Sequence, residues 1–138
     1  MTRAIFIGRF QPFHKGHLHS IEKIAGENKE IIIFIGSSQK SGTAVNPFTY
    51  SERKKMIVSS LKENNISNYK IYPLKDSING CDKWFSGIIK KVPKFDFIYT
   101  GNPDVYHAFR KRGYKVKKLR QINRKQYSGT AIRKRLKV

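Results

Sequence analysis

Ala4-Ile5-Phe6-Ile7-Gly8-Arg9-Phe10-Gln11-Pro12-Phe13-His14-Lys15-Gly16-His17 is the stretch from which the rest of the chain is read. Four apolar residues closed by a glycine suit a short buried strand of a parallel sheet. Leu18, Ile21, Ile24 and Ala25 then recur at helical spacing and predict an amphipathic helix from about Lys15 to Gly26. In between, Gly8 lets the chain turn and two histidines flank a glycine at the helix start. Such a helix end presents unpaired N–H groups and about half a positive charge, so it attracts phosphate. Arg9, Lys15, His14 and His17 would add donors around the same anion. A side chain at Gly16 would hinder backbone approach to a nucleotide. A blander use of the two histidines, capping the helix or packing under the loop, stays open. There is no Gly-x-x-x-x-Gly-Lys-[Ser/Thr], so the loop does not read as a P-loop.

Outward from this stretch, strand and helix signals keep alternating. Ile31 to Ile35, ended by Gly36, is the clearest buried strand. A polar loop runs from Ser37 to Phe48. Thr49-Tyr50-Ser51-Glu52 then has the capping-box pattern and opens a helix carrying Ile57, Val58 and Leu61 to about Asn64-Asn65. Tyr69 to Leu74 alternates as a strand. Trp84, Phe85, Ile88 and Ile89 mark a third helix that stops before Pro93. Phe95 to Thr100 is a fourth strand, ended by Gly101-Asn102-Pro103. A short helix through Tyr106 and Phe109, a strand from Tyr114 to Leu119, and a last helix opened by Ser128-Gly129-Thr130 complete the chain. The order predicts an α/β, Rossmann-like, doubly wound parallel sheet of five strands with helices on both faces. No repeat, low-complexity tract or linker divides residues 1–138, which read as one domain. In such sheets ligands bind beyond the carboxyl ends of the strands, where the strand order reverses.

Charge narrows the ligand class. Twenty-nine Lys and Arg stand against nine Asp and Glu, a formal net charge of +20, and residues 110–138 hold thirteen basic side chains and no acidic one. A field of this size attracts anions of any kind: nucleotides, pyrophosphate, nucleic acid or an acidic membrane surface. The single cysteine, Cys81, excludes an intrachain disulfide and a multi-cysteine metal site, and reads as a small unreactive residue. No apolar run approaches the roughly 20 residues that cross a bilayer, and no signal-peptide pattern opens the chain. These features predict a soluble, cytoplasmic protein without a membrane partner. His19 and His107 read as surface residues.

The ten residues Gly8 to His17 resemble the first motif of the HxGH nucleotidyltransferase superfamily. The longer form is similar to the archaeal-type nicotinamide mononucleotide (NMN) adenylyltransferases. Later segments are similar too: Gly36 to Ser41 with Asn46 to Thr49 and Glu52-Arg53, Tyr99 to Pro103, and Asn123 to Thr130 ending at Arg133. The resemblance spans about residues 3–136. This chain departs from it at Gly42, where relatives commonly carry histidine, and in the stretch Asp76 to Trp84, which is one residue longer. Relatives also usually continue beyond the position of Val138.

The resemblance implies transfer of AMP from ATP to NMN, giving NAD and pyrophosphate without a covalent intermediate. It implies His14, His17 and Arg133 as catalytic residues. For ATP and its phosphates it implies Gly8, Arg9, Phe10, Lys15, Gly16, Gly101, Asn102, Arg124, Ser128, Gly129 and Thr130. For NMN it implies Ser37 and Trp84, the latter stacking on the cationic nicotinamide ring. Mg²⁺ is expected to arrive with ATP, with no dedicated protein metal site. Relatives are often oligomers, which points to a homo-oligomer, although so strong a positive field opposes self-association unless anions screen it.

Plainer readings stand beside these. Ser128-Gly129-Thr130 could be an ordinary helix cap, Arg133 part of a solvated basic face, and Trp84 core, since it shares a helix face with Ile88. Two other functions compete. One is adenylyl or cytidylyl transfer to a different phosphorylated acceptor. The other is nucleic-acid binding, which should weaken steeply with salt. It does not require glycine- and histidine-rich segments after successive strands, but a nonspecific nucleic-acid affinity is compatible with the charge.

Overall fold

Alternate residues of the two central strands point to opposite faces, and both sets are apolar. In the computed structural model, which describes residues 2–75 and 81–119, this two-sided pattern builds a sheet covered on both sides. The elements run β1 (Arg3–Gly8), α1 (Lys15–Glu27), β2 (Glu30–Ile35), α2 (Tyr50–Glu63), β3 (Tyr69–Pro73), α3 (Cys81–Lys91), β4 (Phe97–Thr100), α4 (Pro103–Lys111) and β5 (Val116–Lys118). All pairings are parallel, in the order β3-β2-β1-β4-β5. The five-stranded, Rossmann-like sheet expected from the sequence is therefore present.

One face carries Ala4, Phe6, Ile31, Ile33, Ile35 and Tyr99, packed against Ile21 and Ile24 of α1 and Ile57 and Leu61 of α2. The other carries Ile5, Ile32, Phe34 and Ile98 beneath Phe85 and Ile88 of α3 and Phe109 of α4. Burial of these side chains is worth about 1.5–3 kcal/mol each before chain entropy is counted. Register follows the same logic: Ile5 pairs with Ile32 on one side and Ile98 on the other, so a one-residue slip would move each apolar row to the wrong face.

The sequence signals place the elements to within a residue or two. Thr49 caps α2 as expected, accepting from the Glu52 N–H, while the Glu52 carboxylate accepts from the Thr49 N–H. The fourth strand begins later than its apolar run, at Phe97, because Asp96 pairs with Arg3 at the sheet's lower edge: its N–H donates to the Arg3 carbonyl and its carboxylate accepts from the Arg3 N–H. Among the described residues no helix is long and apolar enough to cross a membrane. The predicted last helix lies outside them.

The chain lays down β1, β2 and β3 toward one edge, then returns to place β4 on the other side of β1. The loops after β1 and β4 therefore part at the sheet's centre. That divergence is the crevice in which doubly wound sheets hold ligands.

Candidate active site

The loop after β1 is built by packing as much as by turning. Phe10 adopts a left-handed backbone (φ 54°) and is only 1% exposed. Its ring lies over Gly8 so closely that a Cβ at Gly8 would stand 2.8 Å from Phe10 Cζ. Gly8 is thus required by a ring rather than by its own dihedrals. Gln11, also buried, accepts from the Phe48 N–H (2.8 Å) and donates to the Phe48 carbonyl (3.0 Å). An amide side chain thereby stitches the loop after β1 to the loop after β2.

This loop delivers the two histidines as a reciprocal cap on α1. His14 is the N-cap residue, and its Nδ1 accepts from the Gly16 N–H at 3.1 Å. His17 Nδ1 accepts from the His14 N–H at 3.2 Å. The rings stack at 3.7 Å, and His17 is further walled by Phe10 and Phe13 at 4.7 and 5.6 Å. Burial lowers the pKa of His14 from 6.5 to about 4. Burial, and secondly the adjacent His14, hold that of His17 well below its ordinary value. Both imidazoles are therefore neutral near pH 7. Since each Nδ1 receives a hydrogen, the ring proton sits on Nε2. The blander reading of the histidines as caps is true, and it is the means by which both Nε2–H groups are held in one tautomer.

Two basic residues, Arg9 and Lys15, belong to the same stretch of chain. Arg9 is exposed, and its guanidinium reaches the Asn46 side-chain carbonyl at 3.4 Å. Lys15 is the first residue of α1 and also exposed, and Gly16 follows it as the donor to His14. At the end of β2, Ser37 is buried (5% exposed) and left-handed (φ 49°). On the other side of the crevice, Gly101 is exposed after β4. Asn102 caps α4, its side-chain oxygen accepting from the Asp104 and Val105 N–H groups. Both border a cavity of about 150 Å³ with Thr100, Tyr106 and Lys118.

Trp84 is half-buried on the opposite face of the sheet, edge-on to Phe85 and Phe109 at 5.6 and 5.8 Å. It is a core residue along one side, as the plainer reading held, with part of the indole exposed. Arg124, Ser128, Gly129, Thr130 and Arg133 lie outside the described residues. His19 and His107 are exposed, as expected. A larger open hollow, about 690 Å³, lies at the opposite, amino-terminal end of the strands between Arg3, Glu30, Asn68 and Asp96.

Sequence reasoning assigned no role to Gln11, Asn46, Lys118 or Arg53. For Arg53 a signal existed: with Ile57 and Leu61 it continues a spacing of four, which places an arginine on the buried stripe of α2. Arg53 is in fact fully buried, and burial first and the Arg9 charge second lower its pKa. A guanidinium starts so high that it remains charged at neutral pH.

Comparison with known proteins shows the family. The cytidylyltransferase-like family model matches residues 5–135. A nicotinamide-nucleotide adenylyltransferase of Thermoplasma acidophilum is 48% identical over 97% of this chain and 74% of its own length. One from Methanococcus aeolicus is 50% identical, covering 97% and 77%. A crystal structure of a bifunctional NMN adenylyltransferase/ADP ribose pyrophosphatase from Francisella tularensis superposes with a TM-score of 0.87 at 31% identity, over 98% of this chain and 42% of that longer one. A reciprocal histidine cap at the switch point of a parallel sheet, with matches of this extent, means that the chain belongs to the cytidylyltransferase-like family of HxGH nucleotidyltransferases.

Proposed function

We propose that this protein transfers AMP from ATP to NMN, releasing NAD and pyrophosphate. The observation that carries the reading is the His14–His17 pair, two neutral imidazoles locked as Nε2–H donors where the sheet order reverses. The relatives named for this activity support the choice of acceptor.

An oxygen of the NMN 5′-phosphate attacks the α-phosphorus of ATP in line. The new P–O bond forms as the bond from the α-phosphorus to the bridging oxygen breaks, and pyrophosphate leaves with that electron pair. The attacking oxygen is already anionic at neutral pH, so no general base is needed. Catalysis then consists of bringing two repelling polyanions together and stabilising charge that grows on the phosphoryl oxygens. His17 Nε2–H is the donor to the α-phosphate and His14 Nε2–H its neighbour on the phosphate chain. With the proton fixed on Nε2, both rings can donate at neutral pH without first taking up a proton. Arg9 and Lys15 hold the outer phosphates, with Phe10 and Gly16 shaping the loop. Gly101 and Asn102 seat the adenosine beside the small cavity. Ser37 and the exposed part of Trp84 receive NMN.

Arg124, Ser128, Gly129, Thr130 and Arg133 are assigned to the pyrophosphate end by their motif alone. Imidazole, guanidinium and ammonium groups are not the oxygen ligands Mg²⁺ prefers, so a Mg²⁺ ion accompanying ATP would be held by phosphate oxygens and water and would neutralise phosphate charge. The exposed cations Arg110, Lys111, Arg112, Lys115, Lys117 and Lys118 support an additional salt-sensitive affinity for nucleic acid.

The test is to incubate the protein with ATP, Mg²⁺ and a panel of phosphorylated acceptors while following pyrophosphate and NAD. Pyrophosphate released only with another acceptor would overturn the choice of NMN and keep the reaction class.

A further inference from the structure

Arg53 donates five hydrogen bonds, all to main-chain carbonyls. Its Nε reaches Thr49 O at 3.1 Å, one turn back in α2. One terminal nitrogen, Nη1, spans Arg9 O at 2.9 Å and Gly36 O at 2.8 Å. The other, Nη2, spans Ser37 O at 3.1 Å and Lys40 O at 3.4 Å. A buried guanidinium is tolerable only when its donors are satisfied, and here carbonyls from three segments do so. Only one of the five bonds, to Thr49 O, stays at α2; the other four reach the loops after β1 and β2.

The carbonyls that Nη1 grips have one feature in common. Arg9 O belongs to the peptide immediately before Phe10, and Gly36 O to the peptide immediately before Ser37. Phe10 and Ser37 are the left-handed, non-glycine residues at the ends of β1 and β2. That conformation is disfavoured for L-residues and persists only where the surroundings impose it. A single nitrogen atom therefore holds both unfavourable turns, one leading to the histidine pair and one opening the loop after β2. The independent stitch from Gln11 to Phe48 joins the same two loops further along.

We propose that Arg53 is a positioning residue that sets the relative placement of the loop carrying His14 and His17 and the loop carrying Ser37. This rests on the reading above, in which the first loop holds ATP and the second the acceptor. The chemical consequence is specific. A ligand that touches only one of these two loops should be indifferent to the distance between them, whereas a ligand touching both should not be. Of the two loops, ATP touches the one after β1 and NMN the one after β2; NAD, which joins the two nucleotides, touches both. The transition state spans them too, and a displacement near 1 Å is enough to slow such a reaction about 100-fold.

Arg53→Lys keeps the charge but, with one tetrahedral ammonium, cannot repeat a planar fork reaching four carbonyls on two loops. Arg53→Gln removes the charge and shortens the reach. Each variant is compared with the unaltered protein by thermal melting, by equilibrium binding of ATP, NMN and NAD separately, and by steady-state kinetics. The expected result for Arg53→Lys is a cooperative melt, ATP and NMN dissociation constants within about threefold of the original, an NAD dissociation constant raised at least about tenfold, and kcat lowered at least about tenfold. The proposal is overturned if NAD binding is unchanged, if all three ligands weaken in the same proportion, or if neither variant folds, since Arg53 would then be a plain structural residue. Failure of the unaltered protein to bind or produce NAD would instead sink the functional reading.

Discussion

The His14 and His17 rings lie 3.7 Å apart and nearly parallel, the Nδ1 of His14 filled by the Gly16 N–H and that of His17 by the N–H of His14, the N-cap of α1. One pair of bonds thus caps a helix and sets two tautomers, with the ring proton of each on Nε2. The cap and the proposed phosphate contact use different nitrogens, so substitution can separate them.

Asparagine retains a side-chain oxygen that can accept the His14 N–H but has no donor where Nε2–H stood. His17→Asn should therefore lower kcat about 100-fold or more while ATP binding and the melting temperature change little. His17→Ala should lose turnover and also about 1 kcal/mol of capping. Steady-state kinetics, ATP titration and thermal melts of both variants check this. Equal losses in kcat and ATP affinity would make His17 a ground-state binding group only.

Lowered histidine pKa values make stability depend on acid. An unfolded His14 takes up a proton near pH 6.5, whereas the native one does so only near 4. Between those values the unfolded chain holds more protons, so stability falls as the pH falls and is fully present above about 6.5. His17, lowered in the same direction, adds to the trend. The melting temperature should be level near pH 7 and decline toward pH 4, less steeply in His14→Asn. Melts across that range in both proteins measure the difference in slope.

Gly8→Ala and Gly36→Ala should behave oppositely although both glycines end a central strand. A Cβ at Gly8 meets Phe10 Cζ at 2.8 Å, and Phe10 is too buried to swing aside. About 1–3 kcal/mol of stability should be lost, together with the loop's shape and activity. A Cβ at Gly36 meets only Gly8 O at 3.6 Å and an Arg9 side-chain carbon at 3.9 Å, ordinary contacts. Urea unfolding should place that variant within about 1 kcal/mol of the original.

Trp84→Ala tests the acceptor assignment. Removing the indole takes packing from Phe85 and Phe109 and should cost about 2–4 kcal/mol. If the exposed part of the ring receives nicotinamide, the KM for NMN should also rise at least about fivefold, with the KM for ATP unmoved. Trp84→Phe should restore most of the stability and part of the affinity. An NMN KM untouched in both variants would make Trp84 core alone.

Local pattern, read from the chain alone, determined the strand and helix order, the parallel sheet, the Thr49–Glu52 cap, and the histidine loop as the place to search. Each depends on residues within one or two turns of one another, where periodicity and capping chemistry act directly. Only the tertiary structure decided which side each residue serves. It spent both Nδ1 atoms on a helix cap, set Phe10 over Gly8, and put Trp84 across the sheet from the histidines. It also brought the ends of β1 and β2 onto Arg53, a residue 44 positions from Arg9. That arginine stands at a spacing of four from Ile57 and Leu61, so its burial was legible. Its partners were not, because backbone carbonyls carry no trace of their neighbours until strands from distant parts of the chain lie side by side.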